Sequence, residues 1–144
     1  MLVKEAMTRD VRTVGPEQEI QEAVRIMLEI DAGALPVGDN DKLVGMITDR
    51  DIAVRGVAAG KPPSAQVRDV MSQEVKYCFE DEDISHVSRN MAEQQIRRLP
   101  VVDRNKRLVG ILSLADLVIS AKSGHASAAL SGISQARGAH SQRH

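Results

Sequence analysis

Aromatic side chains are almost absent: the 144 residues hold one Tyr, one Phe and no Trp. Any core must then be built from Leu, Ile, Val, Met and Ala, and the stacking platform that single-stranded nucleic acid uses is not available. Cysteine occurs once, at Cys78. An intramolecular disulfide framework is therefore excluded, and the usage fits a reducing compartment. No run approaches the roughly 20 apolar residues needed to cross a bilayer as a helix. The first residues, Met1-Leu2-Val3-Lys4-Glu5-Ala6, reach charge too early for a signal peptide. The expectation is a soluble cytoplasmic protein with no membrane partner. Charge of one sign is lacking too: the net value of −1 gives no basic footprint for nucleic acid.

What the chain does have is repetition. Gly45-Met46-Ile47-Thr48-Asp49-Arg50-Asp51 returns as Gly110-Ile111-Leu112-Ser113-Leu114-Ala115-Asp116. Leu35-Pro36-Val37 returns as Leu99-Pro100-Val101, and Ala6-Met7-Thr8 as Val70-Met71-Ser72. Between the Leu-Pro-Val element and the Gly element the second copy carries one extra residue, in a polar loop where insertions are tolerated. One small unit is used twice, so a site built at the junction of the copies is expected twice. Each copy alone is marginal in size, and the length suits two halves burying apolar faces against each other.

Within the unit, Ile20, Ala23, Val24, Met27 and Leu28 form one apolar helix face, opened by Pro16 and Glu17. The second copy uses Ile84, Val87, Met91 and Ala92 after the acidic run Glu80-Asp81-Glu82-Asp83, which reads as acids at a helix N-terminus rather than a cation site. Two short apolar runs follow each helix, split by Gly38 to Lys42 and by Asp103 to Arg107, and predict hairpins with loops of about five residues. A second helix follows from Asp51 and from Asp116, and an extended stretch precedes each first helix, at Val11 to Val14 and Val75 to Phe79. The predicted unit is strand–helix–strand–strand–helix, an α+β fold. Residues 1–60 form the first repeat, 61–66 a linker stopped by Pro62-Pro63, 67–122 the second repeat and 123–144 a low-complexity tail. The tail's scattered His125, His140 and His144 have no metal-ligand spacing.

Thr48-x-x-Asp51 and Ser113-x-x-Asp116 stand where a strand runs into a helix. Each reads as a capping box. Each also reads as a ligand site: Asp is short for that reciprocal role, which leaves its carboxylate free for an outside donor. The helix N-terminus suits an anion. A hydroxyl, a carboxylate and backbone N–H groups together suit a phosphate and a vicinal diol, as in a nucleotide.

Both copies resemble cystathionine-β-synthase (CBS) domains, through Ala6-Met7-Thr8, Leu35-Pro36-Val37 and Gly45-x-x-Thr48-x-x-Asp51, and through their second-copy counterparts ending in Gly110-x-x-Ser113-x-x-Asp116. The span from about Val3 to Ser120 resembles a tandem CBS pair, or Bateman module. Thr48-Asp49-Arg50-Asp51-Ile52 and the small size resemble stand-alone bacterial CBS pairs of the hypoxic-response type. The resemblance implies a pseudo-twofold CBS pair with two clefts between the halves, binding adenosine-containing ligands such as AMP, ADP, ATP, NAD(H) or S-adenosylmethionine. It assigns the Asp to the ribose hydroxyls and the Thr or Ser to the neighbourhood of the phosphate. Carried over, cleft one combines Thr48, Arg50 and Asp51 with Lys76, Tyr77, Arg97 and Arg98. Cleft two combines Ser113 and Asp116 with Arg12, Thr13, Gly33 and Ala34. The Arg pair of cleft one favours phosphate oxygens, so cleft one is expected to take the more highly phosphorylated ligand. Arg97-Arg98 also reads as a solvated pair at a helix end. Tyr77 reads equally as a base-stacking or a core residue. Cys78 reads as a small buried hydrophobe, and His86 as solvent-exposed.

The residues show no nucleophile with a His partner, no metal-ligand cluster and no Gly-rich phosphate loop, so an enzyme is not expected. The leading expectation is a ligand-sensing regulatory module whose output acts on an unidentified protein in trans. The alternative is a scaffold that binds no small molecule. The apolar second helices (Ile52, Val54, Val57; Leu117, Val118, Ile119) fit either burial within one chain or the homodimer that the resemblance implies.

Overall fold

The computed structural model describes residues 1–120; the sequence readings of the tail, with His125, His140 and His144, lie outside them. The described chain is mixed α/β and falls into two compact units. One comprises Arg12–Val75, the other Met1–Val11 with residues 76–120.

In the Arg12–Val75 unit, helix α2 (Ile20–Ile30) is followed by strands β1 (Ala34–Asp39) and β2 (Lys42–Thr48), an antiparallel pair. The core joins Ile20, Ala23 and Met27 of α2 to Leu35, Val37 and Ile47 of the hairpin. Alternation along β2 buries Leu43, Gly45 and Ile47 and turns Val44, Met46 and Thr48 outward. Helix α2 starts at Ile20, not at Pro16 as the sequence suggests, and Pro16-Glu17 form a turn ahead of it. The hairpin loop is also tighter than expected. Asp39 pairs with Lys42, leaving only Asn40 and Asp41, both at positive φ (51° and 67°). These are residues that tolerate the left-handed region which a two-residue hairpin turn demands. Thr48 leads straight into α3 (Asp49–Asp51), and the helix continues with π geometry over Ile52–Val57.

The other unit repeats the plan with α4 (Ile84–Gln94), β4 (Arg98–Val102), β5 (Leu108–Ser113) and α5 (Leu114–Ser120). Here the loop between β4 and β5 has the expected five residues. The extended stretches shrink in both copies. Val14 makes a single parallel bridge to Val37, and only Cys78–Phe79 forms a strand, β3, parallel to β4. The acidic run is used locally: Asp83 Oδ1 caps α4 through Ser85 N, Glu82 Oε2 accepts from Phe79 N, and Asp81 pairs with Arg104.

The packing units do not follow the order of the repeats. The segment leading into each repeat lies on the body of the other. Short helix α1 (Val3–Ala6) and Met7-Thr8 belong with residues 76–120, whereas Val67 to Ser72 belong with residues 12–60. The hydrogen bonds recur in matching pairs. Val3 N donates to Glu82 O, and Val67 N to Gln18 O. Ile84 N donates to Met1 O, and Ile20 N to Ala65 O, so each lead-in segment satisfies a helix N-terminus. Thr8 and Ile111 exchange both backbone bonds at 2.9 Å, as Ser72 and Met46 do at 2.8 and 2.9 Å.

The fit needs glycine. A Cβ on Gly110 would stand 2.5 Å from Met7 Sδ and 2.9 Å from Thr8 O; one on Gly45 would stand 2.8 Å from Ser72 O and 2.9 Å from Met71 Sδ. We predict that Gly45→Ala and Gly110→Ala each destabilise the fold by about 1–3 kcal/mol, the cost of overpacking. Gly15→Ala, whose Cβ would meet nothing nearer than 3.6 Å, serves as the control. Urea denaturation of the three variants measures this, and equal stabilities would refute it.

Candidate functional site

Each hairpin delivers its last strand directly to a helix, and each junction carries the hydroxyl and the carboxylate of the repeated motif. At the first, Thr48 N donates to Asp51 Oδ2 at 3.0 Å and Asp51 N donates to Thr48 Oγ1 at 3.0 Å. At the second, Ser113 N donates to Asp116 Oδ2 at 2.9 Å and Asp116 N to Ser113 Oγ at 3.3 Å. Both are reciprocal capping boxes, with Asp reaching back from the third helical position. Two backbone bonds fix the junctions in matching fashion: Asp49 N to Gly33 O at 2.9 Å and Leu114 N to Arg97 O at 3.1 Å.

The carboxylates differ in surroundings. Asp51 is half-buried. Asp116 is 8% exposed, and it also accepts from Thr8 Oγ1 at 3.0 Å and Ser113 Oγ at 3.1 Å. Thr8 is a site neighbour that sequence reasoning missed. The repeated Met-Thr/Met-Ser element marked the residue, but nothing in the sequence told that it lies on the other copy's motif.

The remaining candidates fall out by unit. Ala34 pairs with Thr48 across the hairpin, and Arg98 with Ser113. Gly33 and Ala34 therefore lie beside Thr48, and Arg97 and Arg98 beside Ser113. The grouping of Thr48, Arg50 and Asp51 with Lys76, Tyr77, Arg97 and Arg98 draws on residues of both units. Arg50, Thr13, Lys76 and Arg98 are exposed. Arg12 is held by Glu29 through two bonds of 3.1 and 3.2 Å, and that guanidinium keeps the Glu29 carboxyl below its ordinary range. Tyr77 is half-buried, not part of the core, and meets Phe79 edge-on at 5.7 Å with Lys106 over its ring. Cys78 is buried in the core as expected, and burial, helped by the Glu82 charge, pushes its thiol up to about 12. Such a thiol is inert at neutral pH. His86 is exposed. Among the described residues no group of three or more His, Cys, Asp or Glu is placed to hold a metal ion, and no helix is long and apolar enough to cross a membrane.

On the outer side of α2 and the π-helical segment lies an apolar groove of about 400 Å³. It is lined by Val24, Met27, Leu28, Ala32, Asp49, Ile52, Ala53 and Val57. Leu28 is 82% exposed and Val57 70%.

Two matched repeats with this junction define a class, and comparison with known proteins agrees: the CBS domain model matches residues 3–56 and 67–122. The chain belongs to the CBS-domain family and holds two CBS repeats. Among curated relatives it is 45% identical over 133 residues to the CBS domain-containing protein YhcV of Bacillus subtilis, covering 92% of this chain and 94% of that one. It is 39% identical over 116 residues to hypoxic response protein 1 of Mycobacterium tuberculosis, covering 79% and 80%. Among solved structures it matches Hypoxic Response Protein I with two coordinated zinc ions (TM-score 0.72, 37% identity, 83% of this chain and 98% of that one). CBSX2 in complex with AMP matches with TM-score 0.72 and 27% identity over 85% of this chain and 96% of that one. The CBS pair of MJ0100 in complex with 5-methylthioadenosine and S-adenosyl-L-methionine matches with TM-score 0.70 and 31% identity, over 85% and 97%.

The unequal wiring of the two boxes has a thermodynamic consequence. Asp51→Ala removes one acceptor and is expected to cost about 1 kcal/mol, the scale of a lost cap. Asp116→Ala strands Thr8 Oγ1, Ser113 N and Ser113 Oγ together, and is expected to cost about 2–4 kcal/mol. Equal shifts in denaturation midpoint without ligand would contradict this.

Proposed function

We propose that the chain is a regulatory module that senses an adenosine-containing ligand: AMP, ADP, ATP, NAD(H) or S-adenosylmethionine. The observation that carries the reading is the doubled junction, in which a strand delivers a hydroxyl, a carboxylate and a helix N-terminus to one place. That set matches the demands of a ribose diol and a phosphate. The adenosyl ligands of CBSX2 and MJ0100 support it by analogy. Asp51 and Asp116 take the ribose hydroxyls, and Thr48 and Ser113 lie toward the phosphate. Ala34 lies beside the first box and Arg98 beside the second, each across its own hairpin. Arg50, inside the motif itself, directs the more highly phosphorylated ligand to the Thr48–Asp51 box, since guanidinium forks match phosphate oxygens. The ligand is not turned over; the output is a change in what a protein target acting in trans encounters, and any such change needs differential affinity for two states.

One observation favours a second reading. Both boxes already cap their helices, as a scaffold that binds no small molecule requires. Under either reading the groove on α2 and the π-helical segment is proposed as the homodimer surface. It presents Val24, Leu28 and Val57 to solvent, an apolar patch of the kind that marks association.

Thermal unfolding with AMP, ADP, ATP, NAD(H) and S-adenosylmethionine separates the readings. At 100 times its dissociation constant a ligand stabilises by about 2.7 kcal/mol, several degrees for a chain this size. We expect one adenosyl compound to give this shift and Asp51→Ala/Asp116→Ala to abolish it; no shift with any of them would leave the scaffold. For assembly, sedimentation is expected to give a dimer that Leu28→Glu/Val57→Glu converts to a folded monomer. A monomeric parent chain would overturn the assignment of the groove.

A further inference from the structure

The two carboxylates occupy matching positions, yet their oxygens are differently engaged. Asp51 accepts one hydrogen bond, from Thr48 N on Oδ2, and among the described residues nothing donates to its Oδ1. The Thr48 hydroxyl accepts from Asp51 N, and its proton meets no acceptor among the described residues. Asp116 accepts three bonds: Thr8 Oγ1 on Oδ1, and Ser113 N and Ser113 Oγ on Oδ2. The residue matching Thr8 in the other unit is Ser72, and its hydroxyl turns away, donating to Glu74 O at 3.3 Å.

We propose that Thr8 is a latch on the second box. A vicinal diol reaches Asp51 directly, but reaches Asp116 only in exchange for the Thr8 hydroxyl. The inference rests on the adenosyl-ligand reading above and adds an order of filling to it. At Asp51 the ligand gains a charge-assisted bond on an open oxygen. At Asp116 one O–H donor replaces another, and the gain nearly cancels. Release needs no backbone movement. Thr8 stays paired to Ile111 through both backbone bonds, and Met7 stays packed on Gly110. Rotation of the Thr8 side chain, on an exposed residue, suffices. Occupancy of the second box thus becomes tied to the rotamer of the Thr8 side chain.

Calorimetric titration of the full chain with AMP tests the latch. Asp51→Asn is expected to remove the tighter binding step and leave the weaker one. In that background Thr8→Val, which keeps shape and loses the hydroxyl, should tighten the remaining step by about tenfold, the scale of one charge-assisted hydrogen bond. Thr8→Ala should act in the same direction, and Thr8→Ser should restore the parent affinity. An unchanged affinity in folded Thr8→Val and Thr8→Ala overturns the latch while leaving nucleotide binding intact. So does loss of the tighter step on Asp116→Asn instead of Asp51→Asn. No AMP binding to the parent chain, with adenosyl compounds equally silent in thermal unfolding, overturns the nucleotide reading and the latch with it.

Discussion

The structure depends on the docking of each lead-in segment over a glycine in a strand of the other repeat's body. Met7 lies on Gly110 and Met71 on Gly45, at separations that leave no room for a Cβ. Around each contact run the backbone bonds that close the unit: Thr8 with Ile111, Ser72 with Met46, and the bonds to the helix N-termini from Met1 and Ala65. Without these segments α2 and α4 would each lose a partner for their first N–H groups, and buried Val3 and Val67 would lose their cores. The chain thus cannot complete either unit from one repeat's continuous sequence. A repeat too small to bury an adequate core alone borrows the missing piece from the other.

Composition sets the character of what is packed. With a single Phe and a single Tyr, both half-buried and set edge-on to each other, neither core holds an aromatic ring. Branched aliphatics and methionine fill the space, and Met7 and Met71 are suited to their glycine contacts because thioether chains adapt to irregular gaps. The same aliphatic supply leaves Val24, Leu28, Val54 and Val57 on the outside of one unit. At the positions of Val24 and Leu28 the second repeat has buried Ser88 and half-buried Ala92, while Val118 and Ile119 are exposed there.

The two motifs show how one pattern yields two sites of different behaviour. Both form the same reciprocal cap, so local structure does not distinguish them. What distinguishes them is whether a hydroxyl from the docked segment turns toward the carboxylate, as Thr8 does, or away, as Ser72 does. A carboxylate with an open oxygen and one with both oxygens engaged differ in ligand affinity even where the motif is identical, because a ligand competes with the bonds already in place.

Much was legible from the residues. The doubled motif gave the family and the order of elements. Apolar periodicity gave α2 and α4 and most of their buried faces, and the place of Cys78 and His86 followed from neighbours along the chain. Boundaries set by hydrogen bonding were not legible. Pro16-Glu17 reads as a helix start, but the linker's carbonyls at Ala65 and Pro63 place that start at Ile20 and Gln21. A five-residue loop reads from Gly38 to Lys42, but pairing continues until only Asn40-Asp41 remain. By itself the sequence determined that one unit occurs twice and that each strand-to-helix junction carries a hydroxyl and a carboxylate, since these depend on spacing along the chain. Only the tertiary structure decided which segment completes which unit and which carboxylate keeps an open oxygen. Those depend on contacts between residues as far apart as Thr8 and Asp116, and no local pattern encodes them.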